Sequence, residues 1–130
     1  MKEKGQSIAE FVVVSPFLFL LIFGIFQLGH IVLTFVMVNH AAFIVARVGV
    51  VYADDAGIRD SRMSLALRTA MPVKGDKYVK SYVMDNNLFV TVTYKLPLLF
   101  PVINMALVKA MHLPEYKIPI SASCTMRLEA

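Results

Sequence analysis

From Glu10 to Arg47 the chain reads EFVVVSPFLFLLIFGIFQLGHIVLTFVMVNHAAFIVAR, and between those two residues there is no Asp, Glu, Lys or Arg. About 20 apolar residues are enough to cross a bilayer, and this uncharged run is clearly longer. One membrane span is therefore expected, at about residues 11–33. A helix from Ser7 to Tyr52 would be about 69 Å long at 1.5 Å per residue, against a hydrocarbon layer of about 30 Å, so roughly half of it must leave the lipid. Polar groups return along that outer half at Gln27, His30, Thr34, Asn39 and His40, and Ala41, Ala42, Ala46 and Gly49 allow another element to approach closely. The emerging half is expected to pack on protein. Pro16 is expected to remove one backbone bond and kink the helix, which neighbours within a membrane can repair.

Of the 130 residues, 58% are hydrophobic and only 17% charged, more apolar than an ordinary soluble domain. What lies beyond the run leaves room for one small domain and not for a multidomain enzyme. The formal net charge is +4, but Lys and Arg are scattered from Arg59 to Arg127 with no basic run or basic helix face. This is ordinary surface charge beside a membrane, and no nucleic-acid partner is expected.

Beyond the run, Asp54, Asp55 and Gly57 punctuate the chain, and Asp60 or Ser61 can cap a second helix ending before Pro72. Met63, Ala66, Leu67, Ala70 and Met71 form its apolar stripe, with Arg59, Arg62 and Arg68 outside it. Tyr78–Met84 and Leu88–Leu96 flank Asp85-Asn86-Asn87, a turn signal, and read as a hairpin. In the second strand Leu88, Val90, Val92, Tyr94 and Leu96 share one apolar face. After Pro97 and Pro101, Val102–Met111 is expected as a short apolar helix or flap. From Tyr116 the alternation resumes with Ile118, Ile120, Ala122, Cys124, Met126 and Leu128 on one face, and Pro119 marks an edge. An antiparallel sheet of about three strands with one apolar face needs a cover. The outer half of the first helix is the large apolar surface on hand, so Phe35, Val36, Val38, Phe43, Ile44 and Val48 are expected to provide it. The fold class is α+β, with helix on sheet.

Residues that could carry chemistry form no constellation. His30 and His40 lie about 15 Å apart along a helix, too far to share a metal, and His112 is in another segment. Cys124 falls on the apolar face of its strand and reads as an inert thiol rather than a nucleophile beside His40 or His112. Asp54-Asp55 reads as a solvated loop. There is no phosphate loop and no GxSxG motif. No catalytic residue, metal, cofactor or small-molecule substrate is expected.

The N-terminus opens Met1-Lys2-Glu3-Lys4-Gly5-Gln6-Ser7-Ile8-Ala9-Glu10-Phe11. A cleavable secretory signal would have a hydrophobic part of only about 7 to 15 residues, and here the run continues to Ala46. Glu10 admits two roles. It can sit at headgroup level in the first helical turn, where a carboxylate favours the helix dipole. Alternatively the chain is cut between Gly5 and Gln6, and the new amine on one subunit neutralises Glu10 on another.

The stretch Gly5-Gln6-Ser7-Ile8-Ala9-Glu10-Phe11, with Pro16 and a Leu/Phe run ending in Phe23-Gly24, resembles the opening of the TadE-like family, the pseudopilins or minor pilins of tight-adherence (Flp) pili. Ala41-Ala42-Phe43-Ile44-Val45-Ala46-Arg47 is similar to the family's alanine-rich segment, and Ile120–Glu129 to its closing strand. The resemblance implies a leader of residues 1–5 removed by a prepilin peptidase and an N-terminal helix over 6–52. It also implies a small extracytoplasmic α+β domain over 53–130, with Gly5 and Gln6 as the processing site and Glu10, Phe11 and Pro16 as assembly residues. The implied partners are the peptidase, other pilins and pseudopilins, and the inner-membrane assembly platform, with the subunit held single-pass in a bacterial inner membrane and incorporation in a surface pilus left open by the resemblance. Lys2 and Lys4 favour a cytoplasmic N-terminus, whereas Arg47, Arg59, Arg62 and Arg68 weaken that preference. Two rivals stand beside this reading: another minor pilin of a type II secretion or type IV pilus apparatus, and an anchored binding module whose helix is only a tether.

Overall fold

The computed structural model of the chain describes residues 2–99, 109–110 and 117–128. The helix α1 runs over Lys2–Val51, α2 over Ala56–Ala70, and the strands are β1 (Lys77–Met84), β2 (Asn87–Pro97) and β3 (Lys117–Arg127). The strands form one antiparallel sheet in the order β1-β2-β3. The expected element over Val102–Met111 lies outside the described residues except at Lys109 and Ala110, as do His112 and Tyr116.

The sheet follows the alternation of its sequence. Leu88, Val90, Val92, Tyr94 and Leu96 are all buried on one face of β2, and Ile120 and Ala122 continue that face on β3. Ile118, Cys124, Met126 and Leu128 pack against the same cluster, half-buried. Asp85 and Asn86, with φ of 50° and 62°, close the hairpin as a two-residue turn that pairs Met84 with Asn87. Both residues are of the few types that tolerate this backbone region. On the opposite face Tyr82 and Phe89 stack with ring centroids 4.9 Å apart.

The helix α1 covers the sheet, but not with the residues expected. Phe35, Val36 and Phe43 point outward and are exposed, and Ile44 and Val48 are half-buried, leaving Val38 alone of the expected set in the core. The covering face is built from Val38, Ala41, Ala42, Val45 and Ala46, closed by Gly49. Small side chains win because they let the helix backbone approach the sheet. A Cβ on Gly49 would stand 2.7 Å from Leu88 Cδ2 and 3.0 Å from Met63 Sδ.

The helix α2 starts earlier than its sequence suggests. Asp55, in extended backbone, accepts from the N–H groups of Gly57 (2.9 Å) and Ile58 (3.1 Å) and is the N-cap in place of Asp60 or Ser61. This adds a turn, and it places Arg59 one helical repeat before Met63 and Leu67. Arg59 is accordingly buried beside the stripe rather than outside it, while its guanidinium reaches Asp60 at 3.5 Å. Asp60 in turn accepts from Ser81 Oγ on β1 (3.2 Å).

The loop between α2 and β1 is held by several side chains. The Lys77 ammonium donates to the carbonyls of Met71 and Val73, just past the helix C-terminus, where a cation is favourable. Tyr94 Oη donates to Lys74 O at 3.1 Å, and burial followed by the charge of Asp76 raises the pKa of this phenol. Lys117, hydrogen-bonded to Asp76 at 2.8 Å, lowers that carboxyl below its ordinary value. Gly75 lies against Tyr94 with φ +142°, and a Cβ there would come within 2.9 Å of the Tyr94 ring and hydroxyl. Gly75→Ala is expected to cost about 1 to 3 kcal/mol from backbone strain and to lower the melting midpoint of the detergent-solubilised chain. Gly24→Ala, where a Cβ meets nothing within 4 Å, should leave that midpoint unlowered.

Candidate functional site

The helix α1 divides into two halves by what surrounds it. From Ile8 to Phe26 its large apolar side chains are exposed on every face, and only 6% of its most apolar 18-residue window is buried. A core helix of a soluble protein would be mostly buried, so this surface calls for a solvent other than water. From Gln27 onward one face turns inward through Gln27, Thr34, Val38, Ala41, Ala42, Val45, Ala46 and Gly49, which share one side of the helix. Ile31 is partly buried on the same line.

Gln6 and Glu10 lie one turn apart on the first half, both exposed, and Gln6 Nε2 donates to Glu10 Oε1 at 3.2 Å. Phe11 is exposed on the next position, and the helix continues unbroken through Gly5 and Pro16. Pro16 has no N–H to give the carbonyl four residues earlier, that of Val12. Ser15 Oγ donates to this same Val12 carbonyl at 3.3 Å, so the proline comes with a local replacement for the donor it removes. The structure brings Gln6 and Glu10 together and leaves Phe11 and Pro16 as neighbouring surface.

Polar side chains further along mostly bond back to their own helix. Thr34 Oγ1 donates to His30 O (2.8 Å) and Asn39 Nδ2 to Phe35 O (2.9 Å). Gln27 differs. It is 1% exposed, its Oε1 accepts from the backbone N–H of Leu99 at 3.3 Å, and its Nε2 is buried without a partner among the described residues. The Leu99 donor fixes which end of the carboxamide is oxygen. In the sequence Gln27 is one member of a polar gradient, and only the fold shows that it ties α1 to the segment leaving β2.

Among the described residues, no group of three or more His, Cys, Asp or Glu could hold a metal ion. Cys124 is a free, half-buried thiol against the core. Two open grooves lie among the described residues. One, of about 720 Å³, runs between α2 and β1 past Asp60, Met63, Arg68 and Tyr82. Another, of about 530 Å³, lies between α1 and α2, lined by Ile44, Val48, Leu65 and Ala66, with the Arg62 guanidinium 5.6 Å from the Tyr52 ring centre.

A helix bare over its first half and sheet-packed over its second fits a single-pass, helix-anchored α+β membrane protein. Residues 5–47 match the model of a family described as TadE-like protein, so the likeness read from Gly5–Gly24 and Ala41–Arg47 is a family match over that stretch. The match supports a minor-pilin-like protein associated with Tad pili. The similarity noted at Ile120–Glu129 lies outside the matched residues. No curated protein and no solved structure matches the chain.

Proposed function

We propose that this chain is a pseudopilin of a tight-adherence pilus system, a structural subunit that is cut between Gly5 and Gln6 and assembles through α1. TadE-like proteins are structural pilus components, not enzymes. The observation that carries the reading is an overlap: the family match over 5–47 falls within the helix that presents apolar side chains all round its first half. Lipid satisfies that surface before assembly, and neighbouring helices do so afterwards by packing and by polar pairs. Glu10, close to the processed end, then pairs with the Gln6 amine of a neighbour and sets axial register. The globular half lies outside the cytoplasm, and the partners are the prepilin peptidase, other pilins and the assembly platform. A helix used only as a tether fits less well, because Val38, Ala41, Ala42, Val45 and Ala46 are part of the domain's own core.

Mass spectrometry of the protein from its native membrane tests this. The mature chain is expected to begin at Gln6, and Gly5→Asp is expected to abolish cutting by crowding the peptidase's substrate site. Intact Met1 in membranes that contain active prepilin peptidase would overturn the reading.

A further inference from the structure

We propose that the turn leaving β2, Pro97–Leu99, is a second membrane contact that docks the sheet into the lipid leaflet from which α1 emerges, with Gln27 as its anchor. This rests on the reading of α1 as a membrane span. Gln27 lies about 26 Å along the helix axis beyond Glu10, and a hydrocarbon layer starting just past Glu10 is about 30 Å thick. Ile25, Phe26 and Leu28, which flank Gln27, are 62%, 67% and 64% exposed and belong to the lipid-facing surface. The hydrogen bond from Leu99 N–H to Gln27 Oε1 brings the chain leaving β2 to this depth.

The chemistry of the segment suits that depth. Backbone outside a helix or closed sheet is tolerated in lipid only where protein satisfies its polar groups. Gln27 does this for Leu99, which accounts for a carboxamide placed within an otherwise apolar stretch of α1. The Leu99 side chain itself is 57% exposed, and Pro97 has no N–H to satisfy. The sequence carries no Asp, Glu, Lys or Arg between Lys95 and Lys109, so no charge there opposes immersion. Docked in this way, the domain is held at two points, which fixes its height and its rotation about α1.

The test uses the full chain with Cys124→Ala and single fluorescent labels at Leu99→Cys, Phe19→Cys or Tyr82→Cys. The protein is reconstituted in phosphatidylcholine–phosphatidylglycerol vesicles carrying a nitroxide on the acyl chain near the glycerol or near the methyl end. Phe19 lies in the span, and Tyr82 lies on the outer face of the sheet. The Leu99 label is expected to be quenched mainly by the nitroxide near the glycerol and shielded from aqueous iodide, while Tyr82 is quenched by iodide alone. Gln27→Leu should raise iodide access at Leu99 by roughly fivefold, the population change that follows from losing one hydrogen bond. If Leu99 behaves like Tyr82 while Phe19 is quenched from the acyl chains, the proposal fails and the span stands. If Phe19 is not quenched, the membrane reading itself fails. Shielding of Leu99 from both quenchers means that protein, such as a second copy, covers the turn, and this also overturns the proposal. A Leu99 label whose depth ignores Gln27→Leu removes Gln27 as the anchor.

Discussion

A chain beginning at Ala53 is expected to aggregate or to lack a cooperative melting transition, whereas one beginning at Val32 folds but self-associates. The difference lies in the cover of the sheet. Leu88, Val90, Val92, Leu96 and Ile120 are buried, and burying one such side chain contributes about 1.5 to 3 kcal/mol. Together they amount to about 8 to 15 kcal/mol, the full net stability of a typical small domain. Met63, Leu67 and Met71 of α2 cover part of this face, yet losing even half of that term leaves little to oppose chain entropy. The exposed sheet face would also be an aggregation liability. Starting at Val32 retains Val38 to Gly49 but leaves Phe35, Val36 and Phe43 in water, which accounts for the expected association. Gel filtration with thermal circular dichroism checks both chains. A monomeric, soluble and cooperatively folded chain from Ala53 onward would show that α1 is not part of the domain core.

Glu10→Gln and Glu10→Ala are expected to leave membrane insertion and leader removal intact while abolishing piliation and co-purification with other pilins. Within one subunit Glu10 is exposed and, among the described residues, accepts from the Gln6 side chain, a local contact along one helix face. If that contact and the helix dipole were its whole role, either substitution would cost at most about 1 kcal/mol. Pairing with a neighbour's Gln6 amine inside a bundle of apolar helices is a different case. Neutralising Glu10 there strands a buried cation, a penalty of roughly 3 to 5 kcal/mol at each contact. The variants are introduced at native expression level, and processing and surface piliation are scored together. Normal piliation with both would leave Glu10 as a headgroup-level residue and remove the register mechanism.

Much of this architecture is legible in the sequence. An uncharged run of this length permits few structures besides a long membrane helix, because lipid offers no partner for an irregular backbone. The alternation in β2 and β3 named the buried faces correctly, since successive strand residues must point to opposite sides. Asp85 and Asn86 marked the hairpin through their tolerance of positive φ. The resemblance at Gly5–Glu10 and Ala41–Arg47 likewise rested on residue order alone and was met by the family match.

Tertiary structure decided what those patterns left degenerate. A helix that is apolar on every face carries no directional signal, so sequence favoured the large side chains Phe35, Val36 and Phe43 as the cover. The fold instead turned inward Ala41, Ala42, Ala46 and Gly49, the residues whose small size the sequence had already marked for close approach, and at Gly49 even a Cβ would meet Leu88 and Met63. Whether Asp55 or Asp60 caps α2 depended on which backbone is extended there, and with that choice Arg59 moved into the core-side row. Gln27 and Leu99 are far apart in the chain, and no local periodicity relates them. Their contact follows from the height at which the sheet sits along α1, a quantity set by packing between elements. Local sequence determined which surfaces must leave water, and three-dimensional fit determined which of them meet each other.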